Sequence, residues 1–294
     1  MSGSSVPAVS VLVTVYNRAR WIAQCLDSIL ASSWQDFEVV VVDDASADNS
    51  VEIIEKYAAR DPRVLLHRNE RNLGDYPNRN RAASLARGRF LKYLDADDTI
   101  YPHSLELMVN AMLAAPAAAL GLSWNVIDPP VPYPFVSTPS EVYHAHFLGK
   151  SLLGVGPSAA IMSRDAFLDA GGFSGTQFVG DTELWLKLAE RSPVISLPPS
   201  LVYWRRHEGQ QMHLELKTPE VLNIRYRLDC SAMEGTANLS PGEKLAVGKK
   251  LRHNHARRLS AFLLRSRRPR EFWRLFRTSG LSLFDLLGGL RGYR

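Results

Sequence analysis

Three carboxylates lie within four residues of one another, at Asp95, Asp97 and Asp98. They follow the apolar stretch 90–94, which has the pattern of a buried strand. Like charges this close raise each other's pKa, so a cation or several hydrogen-bond donors must offset them. Hard oxygen ligands in a short turn suit Mg²⁺ or Mn²⁺, and such cations often hold a substrate's phosphates. The alternative is a solvated acidic turn that caps a helix starting near Pro102.

Polar residues also follow the two strands predicted earlier in the chain. The β-branched stretch 9–15 leads into a tyrosine and an asparagine at 16–17, and the valine-rich stretch 37–42 leads into two aspartates at 43–44. Because the carboxyl ends of parallel strands meet at one edge of a sheet, we expect these groups to lie beside the acidic cluster. This convergence favours a binding site over a solvated turn.

The elements that must position these groups alternate along the first 124 residues. Strand patterns cover 9–15, 37–42, 63–67 and 90–94, helical patterns cover 21–30, 50–60, 77–87 and 102–115, and an apolar stretch covers 117–124. The alternation predicts an α/β fold with a doubly wound, mostly parallel sheet. In such sheets ligands bind beyond the carboxyl ends of the strands, where the strand order reverses.

Bulk composition limits the class of protein. The chain has 294 residues, of which 46% are hydrophobic and 22% charged, so it is long enough and apolar enough for a sizeable core. Cys25 and Cys230 match no metal or redox spacing, which fits a reducing compartment. We find no signal-peptide pattern and no window of roughly 18 apolar residues that would span a bilayer. These features predict a cytoplasmic location.

The charge is distributed unevenly. Residues 244–294 hold 14 lysines and arginines against Glu271 and Asp285, a balance of +12. The whole chain carries +5, so the remainder carries −7. This asymmetry predicts an acidic body, residues 1–215, followed by a helical basic region, residues 216–294. An acidic body is not expected to bind nucleic acid.

Three segments together resemble the inverting family-2 glycosyltransferases, which have the GT-A fold. The segments are Val-Ser-Val-Leu-Val-Thr-Val-Tyr-Asn at 9–17, Val-Val-Asp-Asp-Ala-Ser at 41–46 and Tyr-Leu-Asp-Ala-Asp-Asp at 93–98. The resemblance covers about residues 8–215. It implies a GT-A catalytic domain over 1–215, with a nucleotide-sugar half at about 1–125 and an acceptor half at about 126–215.

The resemblance implies a nucleotide site around the first two strand ends. Thr14 and Tyr16 would lie against the base, with the tyrosine ring as a stacking surface, and Asn17 would belong to the same contact. Asp44 would accept a hydrogen bond from the imide N–H of the base, which favours uracil or thymine. Asp43 would turn toward the backbone or the ribose. The alternative for both aspartates is a turn in which the side chain accepts from the following backbone.

The acidic cluster resembles the DXD motif of the family. Asp97 is then the first choice as ligand of a divalent metal, Mn²⁺ or Mg²⁺, and Asp95 contacts the ribose or supports the site. Asp98 either assists the metal or caps the next turn. Arg79 would reach a phosphate, unless it is an ordinary surface arginine of its helix. His207 would contact the metal or the diphosphate, unless it is a satisfied surface or core histidine.

The catalytic base is expected on the acceptor side. Residues 171–173 and 180–188 resemble the family's Gly-Gly-Phe and Glu-Asp segments, with Gly180 in place of the usual glutamate. Asp181 matches the aspartate that acts as general base, and Glu183 is the second candidate. The alternative is that Asp181 only caps its helix. Arg205 or Arg206 would offset phosphate charge.

The resemblance predicts transfer of a sugar from a nucleotide donor, with inversion, to a saccharide or lipid-linked acceptor. The proline-rich and aromatic stretch 128–150 is predicted as an ordered loop without regular secondary structure. It lines the acceptor site, or it is an inert surface excursion.

Two other function classes remain open. A sugar-nucleotide nucleotidyltransferase would also use a nucleotide and a metal, but residues 14–17 lack the glycine-rich phosphate loop expected there. The other is a non-catalytic, basic-tailed nucleic-acid-binding protein.

The basic region itself alternates arginine clusters with leucine, phenylalanine and tryptophan. This pattern suits adsorption to the anionic inner face of a membrane. The alternative is a helical appendage or an oligomer contact with solvated arginines.

Overall fold

The computed structural model describes residues 6–123, 131–207 and 218–291. The chain divides into two compact units. The first unit contains Met1–His146, Lys150–Thr176 and Gly180–Arg205, and the second contains Phe147–Gly149, Gln177–Val179 and Arg206–Arg294. The boundaries predicted at 125/126 and 215/216 both lie outside the described residues.

The first unit alternates strands and helices, as the periodicity predicts. Its strands are β1 (Val9–Val15), β2 (Phe37–Asp43), β3 (Val64–Arg68), β4 (Phe90–Tyr93), β5 (Thr99–Ile100), β6 (Leu120–Ser123), β7 (Phe135–Ser137), β8 (Ala160–Ser163), β9 (Val194–Leu197) and β10 (Val202–Tyr203). Its helices are α1 (Ile22–Leu30), α2 (Ser50–Ala58), α3 (Asp75–Leu85), α4 (Ser104–Ala114), α5 (Pro139–Phe147, whose last residue belongs to the second unit), α6 (Arg164–Asp169) and α7 (Gly180–Arg191).

Eight of the described strands form one sheet in the order β3-β2-β1-β4-β8-β6-β9-β7. The four strands β3, β2, β1 and β4 run parallel to one another, whereas β8 runs antiparallel to both β4 and β6. All seven residues of β2 are buried, because the sheet is covered on both faces, as is usual for parallel strands. The predicted mostly parallel α/β sheet is therefore confirmed.

The stretch 128–150 differs from the prediction. Where the structure describes it, it contains β7 and α5 rather than an irregular loop. Pro139 occupies the first helical position, where its missing N–H is not needed. Thr138 and Glu141 form a reciprocal cap: the Thr138 N–H donates to Glu141 Oε2 at 2.8 Å, and the Glu141 N–H donates to Thr138 Oγ1 at 3.3 Å. The Thr-x-x-Glu pattern was the overlooked helix signal.

The second unit is helical in its described C-terminal part. Its helices are α8 (Val221–Gly235), α9 (Pro241–Ser266), α10 (Pro269–Ser279) and α11 (Leu283–Arg291). Ser240 and Glu243 form a capping box that starts α9. A separate hydrophobic core joins α9, α10 and α11 through Ala256, Leu259, Phe272, Leu275, Leu281 and Leu286. Among the described helices, none combines the length and the apolar character that crossing a bilayer requires.

Candidate active site

The acidic turn, Asp95–Asp98, follows β4 in the middle of the sheet. The turn is closed by the Asp98 N–H, which donates to the Asp95 carbonyl at 2.8 Å. Since β4 is parallel to β1, and β1 is parallel to β2, the residues after all three strands reach the same edge of the sheet. The structure thus brings together the three groups of polar residues that the sequence places at strand ends.

The carboxylates of the turn are close enough to share one cation. Each offers an oxygen, and these oxygens lie within 4.8 Å of one another. Asp97 and Asp98 are buried, and Asp98 Oδ2 has no hydrogen-bond partner among the described residues. Burial and the charge of Asp95 raise the pKa of Asp98 to about 7. Hard, closely spaced oxygens with an unsatisfied buried acceptor fit Mg²⁺ or Mn²⁺.

Arg79 holds the first carboxylate of the turn. Its guanidinium, on α3, donates to Asp95 Oδ1 at 2.8 Å and to Asp75 Oδ1 at 2.7 Å. The alternative of a surface arginine is wrong, because only 8% of the side chain is exposed. Burial alone would raise the pKa of Asp95, but the charge of Arg79 and its hydrogen bond lower that pKa below its usual value. Arg79 Nη1 is buried without a partner among the described residues, so a donor remains beside the turn.

Two further arginines contact the turn. Arg18, from the loop after β1, donates from Nε to Asp97 Oδ2 at 3.0 Å. Arg205 donates from its backbone N–H to Asp98 Oδ1 at 3.1 Å and from Nε to the Asp97 carbonyl at 2.9 Å. Its guanidinium also lies 4.2 Å from the centre of the Trp21 ring. These contacts position the acidic turn, and the predicted role of Arg205 in offsetting phosphate charge stays a prediction.

Lys92 is a residue of this site that the sequence analysis missed. It is fully buried in β4, and its ammonium donates to the Tyr93 carbonyl at 2.6 Å and to the Ser158 carbonyl. Ser158 Oγ in turn accepts from the Asp95 N–H at 3.0 Å. Burial lowers the pKa of Lys92 to about 7. A single lysine inside an otherwise apolar strand was the available signal, because a buried charge needs partners.

The two aspartates at the end of β2, Asp43 and Asp44, make structural hydrogen bonds. Asp44 is buried and accepts from Asn69 Nδ2 at 2.6 Å, from the Leu73 N–H at 2.8 Å and from the Gly74 N–H at 2.9 Å. These contacts hold the loop before α3, and a base contact by Asp44 stays a prediction. Asp43 accepts from the Ser46 N–H at 3.0 Å, so the turn expected as the alternative is present for this residue.

The loop after β1 presents an aromatic surface. Tyr16 is 48% exposed, which leaves its ring accessible for stacking, while the neighbouring Thr14 is partly buried. Asn17 adopts a left-handed backbone conformation with φ of 54°. Its N–H donates to Ser46 Oγ at 2.9 Å and its Oδ1 accepts from the Ala47 N–H at 2.8 Å. Asn17 therefore joins the loops that follow β1 and β2.

Asp181 lies in the first turn of α7, and α3 positions that turn. The hydroxyl of Tyr76 accepts a hydrogen bond from the Gly180 N–H at 3.0 Å. A Cβ at Gly180 would lie 2.7 Å from Tyr76 Cζ, so the tyrosine ring occupies the space of any side chain at 180. The ring also stacks on Phe173 with centroids 5.2 Å apart. A glycine at position 180, where the resemblance implies a glutamate, therefore has a steric reason.

The second candidate base, Glu183, is already engaged. It accepts a hydrogen bond from Ser174 Oγ at 2.5 Å and pairs with Lys187 at 2.8 Å. Burial alone would raise the pKa of Glu183, but these two partners lower it. Asp181 Oδ1 accepts the N–H of the next residue at 2.7 Å. Glu183 thus already serves in a local ion pair, and the role of Asp181 as general base stays a prediction.

His207 is described in the second unit, and its role as a metal ligand stays a prediction. The other predicted residues, Arg205 included, belong to the first unit.

Residues 10–170 match the model of glycosyl transferase family 2. The chain belongs to this family. Membership confirms the resemblance carried by the three strand-end segments. Membership in this family favours a glycosyltransferase over a nucleotidyltransferase or a nucleic-acid-binding protein. Glycosyl transfer is therefore the activity class of the family to which this chain belongs.

Solved structures show the same fold. TarS of S. aureus, in complex with UDP-GlcNAc, is 23% identical with a TM-score of 0.66, over 86% of this chain and 73% of that one. The mannosyltransferase PcManGT of Pyrobaculum calidifontis, in complex with GDP-Man and Mn²⁺, is 20% identical with a TM-score of 0.62, over 99% and 89% of the two chains. These likenesses confirm the predicted GT-A fold.

Curated relatives match over shorter segments. The succinoglycan biosynthesis protein ExoO of Rhizobium meliloti is 42% identical over 112 residues, which are 38% of this chain and 32% of ExoO. The chain spans about a third of the length of such relatives. The matched family region contains the acidic turn and the loops after β1 and β2.

The contact between Tyr76 and Gly180 predicts the effect of one added methyl group. We expect Gly180→Ala to destabilise the protein by about 1–3 kcal/mol, because the buried tyrosine ring has to move. Gly156→Ala is the matched control, since its Cβ would meet nothing within 4 Å, and we expect about 0.5 kcal/mol or less. Chemical denaturation of both variants measures the difference. Equal stability of the two variants would contradict this account of Gly180.

The ion pair between Arg18 and Asp97 predicts competition with a cation. We expect Arg18→Met to raise the affinity of the nucleotide-free protein for Mn²⁺ about three- to tenfold, since the carboxylate of Asp97 loses this ion pair and a positive charge is removed. Arg20→Met removes the same charge from the same loop, where Arg20 lies over Trp21 instead. Isothermal titration with Mn²⁺ gives both affinities. An equal gain in the two variants would point to net charge rather than to the pair.

Proposed function

We propose that this protein is an inverting glycosyltransferase that transfers a sugar from a nucleoside-diphosphate donor to an acceptor hydroxyl. The observation that carries the proposal is the cluster of three carboxylates after β4, beside the ends of β1 and β2, in a member of family 2. A UDP-sugar is the first choice of donor and a dTDP-sugar the second, through the predicted base contact of Asp44. One related structure contains UDP-GlcNAc and another contains GDP-Man.

The donor would lie along the edge where the three strands end. The exposed ring of Tyr16 would stack on the base, with Thr14 and Asn17 beside it. Asp95 would contact the ribose while Arg79 holds it in place at 2.8 Å. Nη1 of Arg79 is buried and has no protein partner among the described residues, and such a donor suits a phosphate oxygen.

A divalent cation, Mn²⁺ or Mg²⁺, would be held by Asp97, with Asp98 in support. Bound there, it would neutralise charge on the departing diphosphate. Arg205 holds the backbone of the turn through the Asp97 carbonyl. Arg18 pairs with the Asp97 carboxylate, and this pair would have to yield to the cation.

Asp181 would act as general base. It would remove the proton of the acceptor hydroxyl, whose oxygen forms the new bond to the anomeric carbon as the bond to the nucleoside diphosphate breaks. Attack from the face opposite the leaving group inverts the anomeric configuration. Tyr76 holds the first residue of α7, and with it the backbone from which Asp181 extends.

The acceptor in this proposal is a saccharide or a lipid-linked sugar of cell-surface polysaccharide, lipopolysaccharide or glycolipid synthesis. ExoO, whose name assigns it to succinoglycan biosynthesis, supports a polysaccharide product. A lipid-linked acceptor would place the reaction at the cytoplasmic face of a membrane. The basic region 216–294 would meet anionic lipid there.

Metal-dependent nucleotide binding tests the donor site. We expect UDP with Mn²⁺ to raise Tm by roughly 4–8 °C at a hundredfold excess over Kd, and EDTA to remove the shift. Asp97→Asn should lose most of the shift, whereas Asp169→Asn, on an exposed part of α6, should keep it. Differential scanning fluorimetry with UDP, dTDP and GDP ranks the donors. If no nucleotide stabilises the protein in a metal-dependent way, the proposal fails.

Removal of the proposed base should separate chemistry from binding. We expect Asp181→Asn to lower the transfer rate about 10²- to 10⁴-fold while the Kd for UDP stays within about twofold, because only the proton acceptor is lost. Glu183→Gln is the matched control and should lose far less, since Glu183 is paired with Lys187. Release of UDP, with an acceptor found by screening, and titration of UDP measure the two effects. Loss of UDP binding in parallel with transfer would refute the assignment.

A further inference from the structure

Helix α11 exposes an apolar face to solvent. Its Leu286 is buried in the core of the second unit, but Leu283, Phe284 and Leu287 are 61%, 85% and 59% exposed. At helical spacing these three side chains occupy a continuous arc of roughly 100°. Single exposed apolar residues are ordinary, whereas a contiguous apolar arc marks an interaction site.

Helix α10 exposes a tryptophan among arginines. Phe272 and Leu275 lie in the core of the unit, while Trp273 is 47% exposed. Arg270 and Arg277, three residues before and four residues after Trp273, share its face of the helix and are exposed. Tryptophan and arginine together are typical of the boundary between lipid headgroups and acyl chains, since each has an apolar body and a polar end.

The charge of this part of the chain is strongly positive. Residues 244–294 carry a balance of +12. The two acidic residues are both engaged locally: Glu271 pairs with Arg268 at 3.5 Å, and Asp285 accepts from the Ser282 hydroxyl at 2.7 Å. Exposed basic residues continue along α9 and into the loop after it, at Lys249, Lys250, Arg252, Arg257, Arg258, Arg265 and Arg267.

We propose that the second unit docks on an anionic phospholipid surface, with Leu283, Phe284 and Leu287 of α11 entering the acyl boundary and the arginines of α9 and α10 binding headgroup phosphates. This inference rests on the proposed function only in that a lipid-linked acceptor makes docking useful. Charge attraction alone would predict only adsorption to the lipid surface. The apolar arc adds the prediction that side chains of α11 insert into it.

Charge decides among the three occupants that the surface suggests. A second copy of the chain in a symmetric contact would bring the same charge of +12 against this surface and be repelled. A nucleic acid would satisfy the arginines but would leave the aliphatic side chains Leu283 and Leu287 in water. An anionic bilayer matches both the positive charge and the apolar arc.

Vesicle flotation of the full chain, without nucleotide or metal, tests the proposal. We expect binding to phosphatidylcholine vesicles with 30% phosphatidylglycerol, and binding at least about tenfold weaker to pure phosphatidylcholine. Phe284→Ser should weaken binding about tenfold or more, because the inserted ring is lost. Leu245→Ser is the matched control. Leu245 is likewise an exposed apolar residue, at 61%, but it lies at the start of α9 rather than in α11.

A second variant separates charge from insertion. Arg270→Gln with Arg277→Gln should reduce binding to the phosphatidylglycerol vesicles and reduce its salt dependence. Circular dichroism should be unchanged in every variant, because all the altered side chains are exposed.

Several results would overturn the proposal. Among them are equal binding by wild type and Phe284→Ser, equal loss in Leu245→Ser, and equal binding to both kinds of vesicle. A dimer that Phe284→Ser dissociates, or salt-sensitive DNA binding without vesicle binding, would assign the surface to another partner. Since no donor or metal is present, these results do not depend on the proposed transferase activity.

Discussion

The buried polar face of α3 is the constraint on which the site depends. Buried polar groups must find partners inside the protein, and α3 places Tyr76, Asn78 and Arg79 in its buried face. Arg79 pairs with Asp95 in the acidic turn, and Asn78 donates to the Val42 carbonyl at the end of β2. Tyr76 accepts from the Gly180 N–H at the start of α7. One helix therefore ties the proposed donor groups and the proposed base to a common frame.

The acidic turn is held in place by positive charge on several sides. Three arginines from different segments of the chain contact the turn: Arg18, Arg79 and Arg205. Lys92, in β4, donates to the carbonyl of Ser158, whose hydroxyl oxygen accepts from the Asp95 N–H. Even so, burial and Asp95 keep the pKa of Asp98 well above its usual range. The folded turn thus retains like-charge repulsion that a bound cation would relieve. The contacts with the three arginines explain why an acidic cluster is compatible with a buried position at the centre of the sheet.

Sequence patterns predicted the parallel strands well, because fully covered strands are continuous runs of β-branched residues, as in β2. The prediction of irregular structure over 128–150 was wrong. It rested on the number of prolines there and overlooked the Thr-x-x-Glu cap that starts α5. The described prolines of this stretch are compatible with regular structure because they flank β7, at the edge of the sheet, and open a helix. Composition was the weaker guide there, since position within an element decides what proline does.

By itself, the sequence determined the family, the alternation of strands and helices that yields a mostly parallel sheet, and the convergence of three polar strand ends. These depend on local periodicity and on the geometry that parallel strands share. Only the tertiary structure decided that Arg79 is buried, that Lys92 supports the acidic turn, and that Tyr76 excludes a side chain at Gly180. Each of these depends on contacts between residues far apart in the chain, and no local pattern encodes which distant group fills a given space.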